Sequence, residues 1–295
     1  MDNIGNASGW EHSRALILFM CHWFLARRVS HSALTSDLLM ISYNNIIQGC
    51  DLSFSVYNDV YKQGYHSKKM GAYTETLLKH IYPSLFFQSY GSFCKPFVRE
   101  AFLQQVDSIH NQYKQPSNLD LLQSILQTLS QDIAKQNLNR PLRILDICFG
   151  LGYNAMLALD YFKICEIYSP EKDYLLQELY NFPYHNIKDS KKILSALSKN
   201  SLYKHNKQAI YYLHGNAIKH ILQFNHGFFD IVFQDAFSQQ HNPELWDLHY
   251  FQILYNITTS PCIITTYAKA RCVLESAKQA GFNVLKYTWG SVFYK

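Results

Sequence analysis

The dozen residues Arg143-Ile-Leu-Asp-Ile-Cys-Phe-Gly-Leu-Gly-Tyr-Asn154 constrain the fold more than any other stretch of this chain. An apolar run ends at Asp146, and Gly150 and Gly152 fall two apart just before an apolar pattern of helical period. A buried parallel strand reads this way where it gives out into a tight turn and a helix N-terminus. Glycines are required in such a turn because a Cβ would hold the backbone away from a bound nucleotide or nucleoside. The dinucleotide form G-x-G-x-x-G is incomplete, since Ala155 stands third after Gly152.

The rest of the C-terminal half repeats that strand-helix rhythm. Short apolar runs at 142–148, 164–169, 209–213, 229–234, 261–266 and about 282–288 predict strands. Helical patterns fall between them at roughly 153–162, 172–180, 188–198, 216–224, 243–256 and 268–280. Such alternation predicts an α/β fold, a Rossmann-like sheet of parallel strands with helices on both faces. Its ligand belongs outside the carboxyl ends of the strands, where the strand order reverses.

Upstream the pattern differs. Residues 52–57 alternate like a strand, 71–82 read as a helix stopped by Pro83, and helical patterns follow at 97–110 and 119–136. The expected organisation is a smaller strand and helical region over 40–140 and the sheet domain over 141–295. Residues 15–26 are apolar but too short to span a bilayer, and Asp2 and Glu11 before them with Arg27 and Arg28 after give the wrong polarity for a signal peptide. Residues 1–39 are an unassigned extension: a buried helix or an interfacial segment fits 15–26, and the favoured expectation is an over-extended start, with translation beginning near Met40. A native peptide from that segment, seen by mass spectrometry, contradicts it.

Composition sets the outer limits. With 48% hydrophobic and 17% charged residues the chain has ample core and is not a disordered one. A net charge of +5 permits a polyanionic partner without demanding it. Seven scattered cysteines without a C-x-x-C pair suit a reducing cytoplasm, and no Cys/His spacing predicts a metal site.

Three acidic or amide positions fall where a sheet of this kind puts chemistry. Glu171 lies nineteen residues past Gly152 at the end of the second strand, placed to accept from both hydroxyls of a ribose. Glu166 and Asp173 are its rivals, one inside the strand and one in the next helix. Asn216 follows the strand at 209–213 and either binds a base or caps the next helix. Asp235 closes the strand Phe229–Gln234, with Phe237 and Ser238 opening the loop over the site; its alternative role is to cap that loop. Pro243 is placed in a first helical turn with Asn242 as its cap, and Trp246 is as much a core residue as a site residue.

The loop D-x-x-F-G-x-G, with Asp146, Phe149, Gly150, Gly152 and Asn154, resembles the one that holds S-adenosyl-L-methionine in Rossmann-like methyltransferases. Taken with Asp235-Ala-Phe-Ser238 and Asn242-Pro-Glu-Leu-Trp246, it resembles the MnmC-like methyltransferase family. Tyr65-His-Ser-Lys68 with Gly71-Ala-Tyr-Thr-Glu-Thr76, Thr265-Thr-Tyr-Ala268 and Gly281-Phe-Asn-Val284 are similar to further segments of that family. The likeness runs from about 52 to 285. It departs at Gln239, where the family usually has proline, and at Asn216, usually an acid. The family's flavin-dependent oxidoreductase half has no counterpart here.

The resemblance implies S-adenosyl-L-methionine as cofactor and the anticodon stem-loop of tRNA as substrate. The reaction it implies is methylation of the aminomethyl group on the wobble uridine, with no metal and no membrane, after a separate enzyme has made the aminomethyl group. It implies Asp235 and Phe237 as catalytic residues and Asp146, Phe149, Gly150, Gly152, Asn154, Glu171, Asn216 and Asp235 around the cofactor. Tyr65, His66, Ser67, Lys68, Ser238, Asn242 and Trp246 would meet the substrate. Asp235 would take the amine's proton or orient its lone pair. Lys62, Lys68, Lys69, Lys79, Lys95 and Arg99 could form a basic face for RNA. Alternatives are a small-molecule methyltransferase or aminopropyltransferase, which needs no such face, and a catalytically inactive RNA-binding relative, which would not bind the cofactor.

Overall fold

A computed structural model describes residues 45–112, 119–136, 138–173 and 175–295. The expectation for residues 1–39 lies outside the described residues. Three short strands open the described chain: β1 (Ile46–Gln48), β2 (Phe54–Asn58) and β3 (Gln63–Gly64), paired antiparallel in that order.

The first helix, α1, does not stop at Pro83. It runs from Ala72–Thr76 through a π-helical turn at Leu77–Ile81 and on through Tyr82–Tyr90. A proline here should leave a carbonyl one turn back without its donor. The wider turn absorbs the ring, with the Tyr82 N–H bonded to the Leu77 carbonyl. The Tyr287 hydroxyl, arriving from the far end of the chain, donates to the carbonyls of Leu78 at 3.2 Å and Lys79 at 3.1 Å. Tertiary contacts thus satisfy what the local sequence left open. Helices α2 (Pro96–Gln112) and α3 (Leu119–Ala134) follow near their expected places.

The main sheet has eight strands: β4 (Leu142–Ile147), β5 (Cys165–Glu171), β6 (Leu202–His205), β7 (Gln208–His214), β8 (Phe229–Gln234), β9 (Thr258–Thr266), β10 (Asn283–Tyr287) and β11 (Gly290–Tyr294). Their order is β10-β11-β9-β8-β4-β5-β7-β6. The five central strands are parallel, as expected. Both edges are not: β6 hairpins onto β7, and β11 inserts antiparallel between β9 and β10. Neither β6 nor β11 was expected. Each joins its partner by a two-residue turn, and the helical spacing that marks a crossover is missing there.

Between the strands lie α4 (Tyr153–Tyr161), α5 (Leu176–Leu179), α6 (Ser190–Asn200), α7 (Ala217–Ile221), α8 (Leu248–Ile257) and α9 (Arg271–Gln279). The helix expected over 243–256 is broken. Pro243–Leu245 is a separate 3-10 turn that the Asn242 side chain does not cap, and Asp247 caps α8 by accepting from the Tyr250 N–H at 2.8 Å. The helix expected over 172–180 shrinks to one turn.

Adjacent residues on the central strands feed opposite cores. Ile144, Ile231 and Ile263 pack with α1, α2, α3 and α4 on one face, while Leu145, Val232 and Ile264 pack with α7, α8 and α9 on the other. The sheet is covered on both faces, so its strands carry unbroken apolar runs. The chain leaves β4 toward β5 and β7, then returns to its other side as β8. That reversal opens a crevice at the carboxyl ends of β4 and β8.

Candidate active site

The crevice is a cavity of about 310 Å³ at those strand ends. One half is made by three βα junctions of the sheet. After β4, Cys148, Gly150 and Gly152 all have positive φ, at 69°, 52° and 78°. The turn folds the chain back so that Gly150 faces Tyr65, whose ring carbon would stand 3.2 Å from a Cβ there. Gly152 is required for a different reason from the one expected. A Cβ on it would meet the Phe149 ring at 2.7 Å and Met156 at 3.1 Å, so it makes room for packing rather than for a ligand.

Glu171 ends β5 with its carboxylate in the lining. It accepts from the Gly150 N–H at 2.7 Å and the Asp173 N–H at 2.9 Å. Burial pushes its carboxyl up to about 7, with those N–H groups pulling the other way. Each oxygen keeps a lone pair free for a hydroxyl. Asn216 also lines the cavity and caps α7, its side chain accepting from the Lys219 N–H at 3.1 Å. Glu166 lies out of the lining on β5, where it pairs with Arg143 at 3.7 Å; Asp173 is in the lining beside Glu171.

The other half comes from Tyr61–Ser67, α1 and the loop after β8. Asp235 stands at the junction. Its Oδ2 accepts from Asn154 Nδ2 at 2.9 Å, and Asn154 Oδ1 in turn accepts from the Thr76 hydroxyl at 3.0 Å. His80 Nε2 stands 3.5 Å from its Oδ1. Burial alone would raise the Asp235 carboxyl, but His80, then His66 and Asn154, outweigh it and hold the group below the ordinary carboxylate range. Asp146, fully buried one strand away, is pushed the opposite way by burial and by the Asp235 charge, against a 2.8 Å bond from Ser169. Its Oδ1 is a buried acceptor without a partner among the described residues. Environment therefore divides two neighbouring carboxyls into an ionised one and a reluctant one.

Above Asp235, Phe237 stacks on Tyr61 with ring centres 4.7 Å apart and tilts against Tyr65 at 5.0 Å. Tyr65, His66, Ser67 and Asn242 line the cavity with them, whereas Lys68, Ser238 and Trp246 do not. Trp246 is a buried clasp, donating from Nε1 to the Phe237 carbonyl at 2.7 Å. Ser238 is tied by its N–H to Gln63 at 3.2 Å, and Lys68 is exposed. Asp146 and Gly152 sit behind the lining rather than in it.

Sequence reasoning missed His80, Glu75 and the place of Lys79. Lys79 is not on a basic face: it points into the cavity, bonded to Glu75, and lies 5.3 Å from the Tyr267 ring. Glu75 also accepts from the Ser67 N–H at 2.6 Å. Burial favours its neutral form, yet His66 and Lys79 prevail and hold its carboxyl at about 2. The available signal was polar residues at helical spacing among the buried Leu77, Leu78 and Ile81.

The lining carries Glu75, Glu171, Asp173, Asp235 and Glu244 against Lys79 and Lys172. That excess of acid, and a glycine turn free of Lys and Arg, suit a ligand that is itself a cation. Among the described residues no group of His, Cys, Asp and Glu is arranged to hold a metal ion, and no helix is long and apolar enough to cross a membrane.

Comparison with known proteins agrees with this geometry. Residues 182–289 match the family described as S-adenosyl-L-methionine-dependent methyltransferase. An uncharacterised protein of Methanocaldococcus jannaschii is 30% identical over 154 residues, 50% of this chain and 43% of that protein. The tRNA 5-methylaminomethyl-2-thiouridine biosynthesis bifunctional protein MnmC of Polaromonas naphthalenivorans is 39% identical over 57 residues, 19% of this chain and 9% of that protein. The chain thus spans less than half the length of these curated relatives. The crystal structure of MnmC2 from Aquifex aeolicus superposes with a TM-score of 0.60 at 22% identity, over 95% of this chain and 83% of that one, which shows the shared fold. The resemblance to MnmC-like methyltransferases is borne out, as is S-adenosyl-L-methionine as the cofactor of the family.

Proposed function

We propose that this chain, whose residues 182–289 match the family described as S-adenosyl-L-methionine-dependent methyltransferase, methylates the amine of an aminomethyl group on the wobble uridine of tRNA. The observation that carries the reading is Asp235: an ionised carboxylate under an aromatic wall of Tyr61, Tyr65 and Phe237, facing a cavity of nucleoside size. A flat ring fits against those aromatics, and a carboxylate beneath it suits a pendant amine. Relatives named for 5-methylaminomethyl-2-thiouridine biosynthesis in tRNA support the same substrate.

When bound, S-adenosyl-L-methionine supplies a methyl group on a positively charged sulfur. Glu171 accepts from the ribose hydroxyls, Asn216 from the adenine amino group, and the turn at Cys148–Leu151 lies along the nucleoside. On the substrate side only the neutral amine is a nucleophile. With a pKa like that of Lys, near 10.4, the ammonium form must lose its proton to solvent before it is enclosed, at a cost of about 4–5 kcal/mol at pH 7. A carboxyl held below its ordinary range is a better hydrogen-bond acceptor than a store for a proton. Asp235 therefore orients the amine by accepting one N–H, which leaves the lone pair aimed along the transfer axis. Phe237 and Tyr61 close that space to water.

In this reading the anticodon stem-loop is the partner, a separate enzyme supplies the aminomethyl group, and the reaction takes place in the cytoplasm. From the region 40–140, Tyr61, Tyr65 and α1 contribute one side of the substrate wall; from 141–295 come its other side, with Asp235 and Phe237, and the cofactor half. Nucleoside analysis of tRNA from a deletion strain tests it. The aminomethyl nucleoside should accumulate in place of its methylated form; an unchanged nucleoside profile contradicts the reading.

A further inference from the structure

His80 is buried and lies outside the cavity lining. It sits in the π-helical turn Leu77–Ile81 of α1, an arrangement that is rare and frequently found at functional sites. Its Nδ1 lies 2.8 Å from the Thr265 hydroxyl on β9, and its ring rests 5.4 Å from Phe233 on β8. Its Nε2 is buried without a hydrogen-bond partner among the described residues, and it faces Asp235 Oδ1 at the ion-pair distance of 3.5 Å.

The partners restrict the ring's protons. Thr265 has one hydroxyl proton, with two acceptors in reach: His80 Nδ1 and the Val232 carbonyl at 3.4 Å. If it donates to Nδ1, the neutral imidazole carries its proton on Nε2. If it donates to Val232, Nδ1 is protonated, and a bare Nε2 would face a carboxylate, acceptor against acceptor. The arrangement that avoids this is the imidazolium. In both satisfied arrangements Nε2–H points at Asp235.

We infer that His80 is a positioning residue for methyl transfer: by presenting Nε2–H to Oδ1 of Asp235, opposite the Asn154 amide on Oδ2, it fixes the rotation and charge of the carboxylate that aims the substrate amine. This rests on the function proposed above. Asp235 is faced from two sides, by His80 of α1 and Asn154 of α4, and it also lines the cavity. The other titratable groups that face it are His66 from the segment after β3, Asp146 and Cys148 from the end of β4, and Tyr267 after β9. His80 is the one that touches Asp235 without also meeting the substrate space.

Two substitutions separate the ring's two nitrogens. H80Q places an amide N–H near the position of Nε2, whereas H80N reaches Thr265 and leaves Asp235 without that donor. Both are compared with the wild type for kcat and KM on tRNA carrying the aminomethyl nucleoside, and for cofactor affinity by calorimetry. The Asp235 carboxyl is followed by carbon NMR as pH is lowered. H80N should lose at least about tenfold in kcat with KM and cofactor affinity within about twofold, and H80Q should recover most of that loss. The Asp235 carboxyl should protonate at higher pH in H80N than in H80Q or the wild type. Equal kcat values for the two variants, or a carboxyl titration that neither moves, overturns the inference. Should neither His80 variant fold, T265V, which frees the ring at Nδ1, should lower kcat without weakening cofactor binding, and an unchanged kcat overturns it. A wild type that transfers no methyl group to this tRNA refutes the functional reading instead, while the carboxyl titration still decides the role of His80.

Discussion

The two halves of the cavity are built by different means. The half proposed for the cofactor is made by short segments at the ends of three neighbouring parallel strands, β4, β5 and β7, and much of what it offers is backbone: the turn at Cys148–Gly152 and the N–H groups that hold Glu171. The half proposed for the substrate is made by side chains from segments more than 150 residues apart, with Tyr61, Tyr65, Glu75 and Lys79 meeting Asp235, Phe237 and Tyr267, and His80 standing behind Asp235. A backbone cradle is encoded locally and tolerates change around it. A side-chain cluster is encoded across the chain, and each member depends on the others being in place.

Substitutions in the two halves should accordingly fail in different ways. The largest effect is expected at Asp235. Asp235→Asn keeps the size and removes the charge, and methyl transfer should fall by about 10²-fold or more while calorimetry shows cofactor binding close to the wild type. On the proposal that Asp235 orients the amine rather than storing its proton, the deficit should stay constant between pH 7 and 9. A deficit that shrinks with pH would make it a proton acceptor.

In the cofactor half, Glu171→Ala should weaken S-adenosyl-L-methionine by about 1.5–3 kcal/mol in the same calorimeter, the worth of hydrogen bonds to a charged group, and leave tRNA affinity alone. Loss of affinity in Asp173→Ala instead would move the ribose contact to that neighbour. The Glu171 carboxyl also sets a pH dependence. Its pKa in the fold, about 7, lies above the ordinary 4.5, so its contribution to stability is full below about 4.5 and lost as pH rises through 7. Ribose hydroxyls favour the ionised form, so cofactor binding releases a proton. Affinity should rise with pH up to about 7 and level off above it, and Glu171→Gln should abolish that slope.

Smaller effects are expected where the two halves are merely supported. Gly152→Ala forces a side chain into left-handed backbone and against Phe149, which should cost about 1–2 kcal/mol in denaturant unfolding. Trp246→Phe removes one hydrogen bond to the Phe237 carbonyl and should cost about 1 kcal/mol, with KM for tRNA rising more than kcat falls. A drop in kcat alone would place Trp246 nearer the chemistry than its burial suggests.

The same contrast explains what the sequence disclosed. The parallel core, the glycine turn, Glu171 and Asp235 each rest on a pattern a few residues long, and all lie where the pattern puts them. Strands β6 and β11 escaped because a two-residue hairpin leaves no helical spacing to mark it. The passage of α1 through Pro83 depends on Tyr287, a partner more than 200 residues away that no local rule includes. His80, Glu75 and Lys79 were hidden for a related reason: polar residues on a helix read as solvated until the fold shows that the face they occupy is buried. Trp246 shows the converse, a motif residue whose visible work in the fold is to fasten a loop.

The central claim is that one cavity joins a methyl donor to an amine on tRNA. Its most direct test is incubation of the purified chain with S-adenosyl-L-methionine labelled in its methyl group and tRNA carrying the aminomethyl wobble uridine, followed by nucleoside mass spectrometry. The account predicts that the label appears in the 5-methylaminomethyl nucleoside with the wild type and falls by about 10²-fold or more with Asp235→Asn. Label in any other nucleoside, or none with a wild type that binds the cofactor, would contradict it.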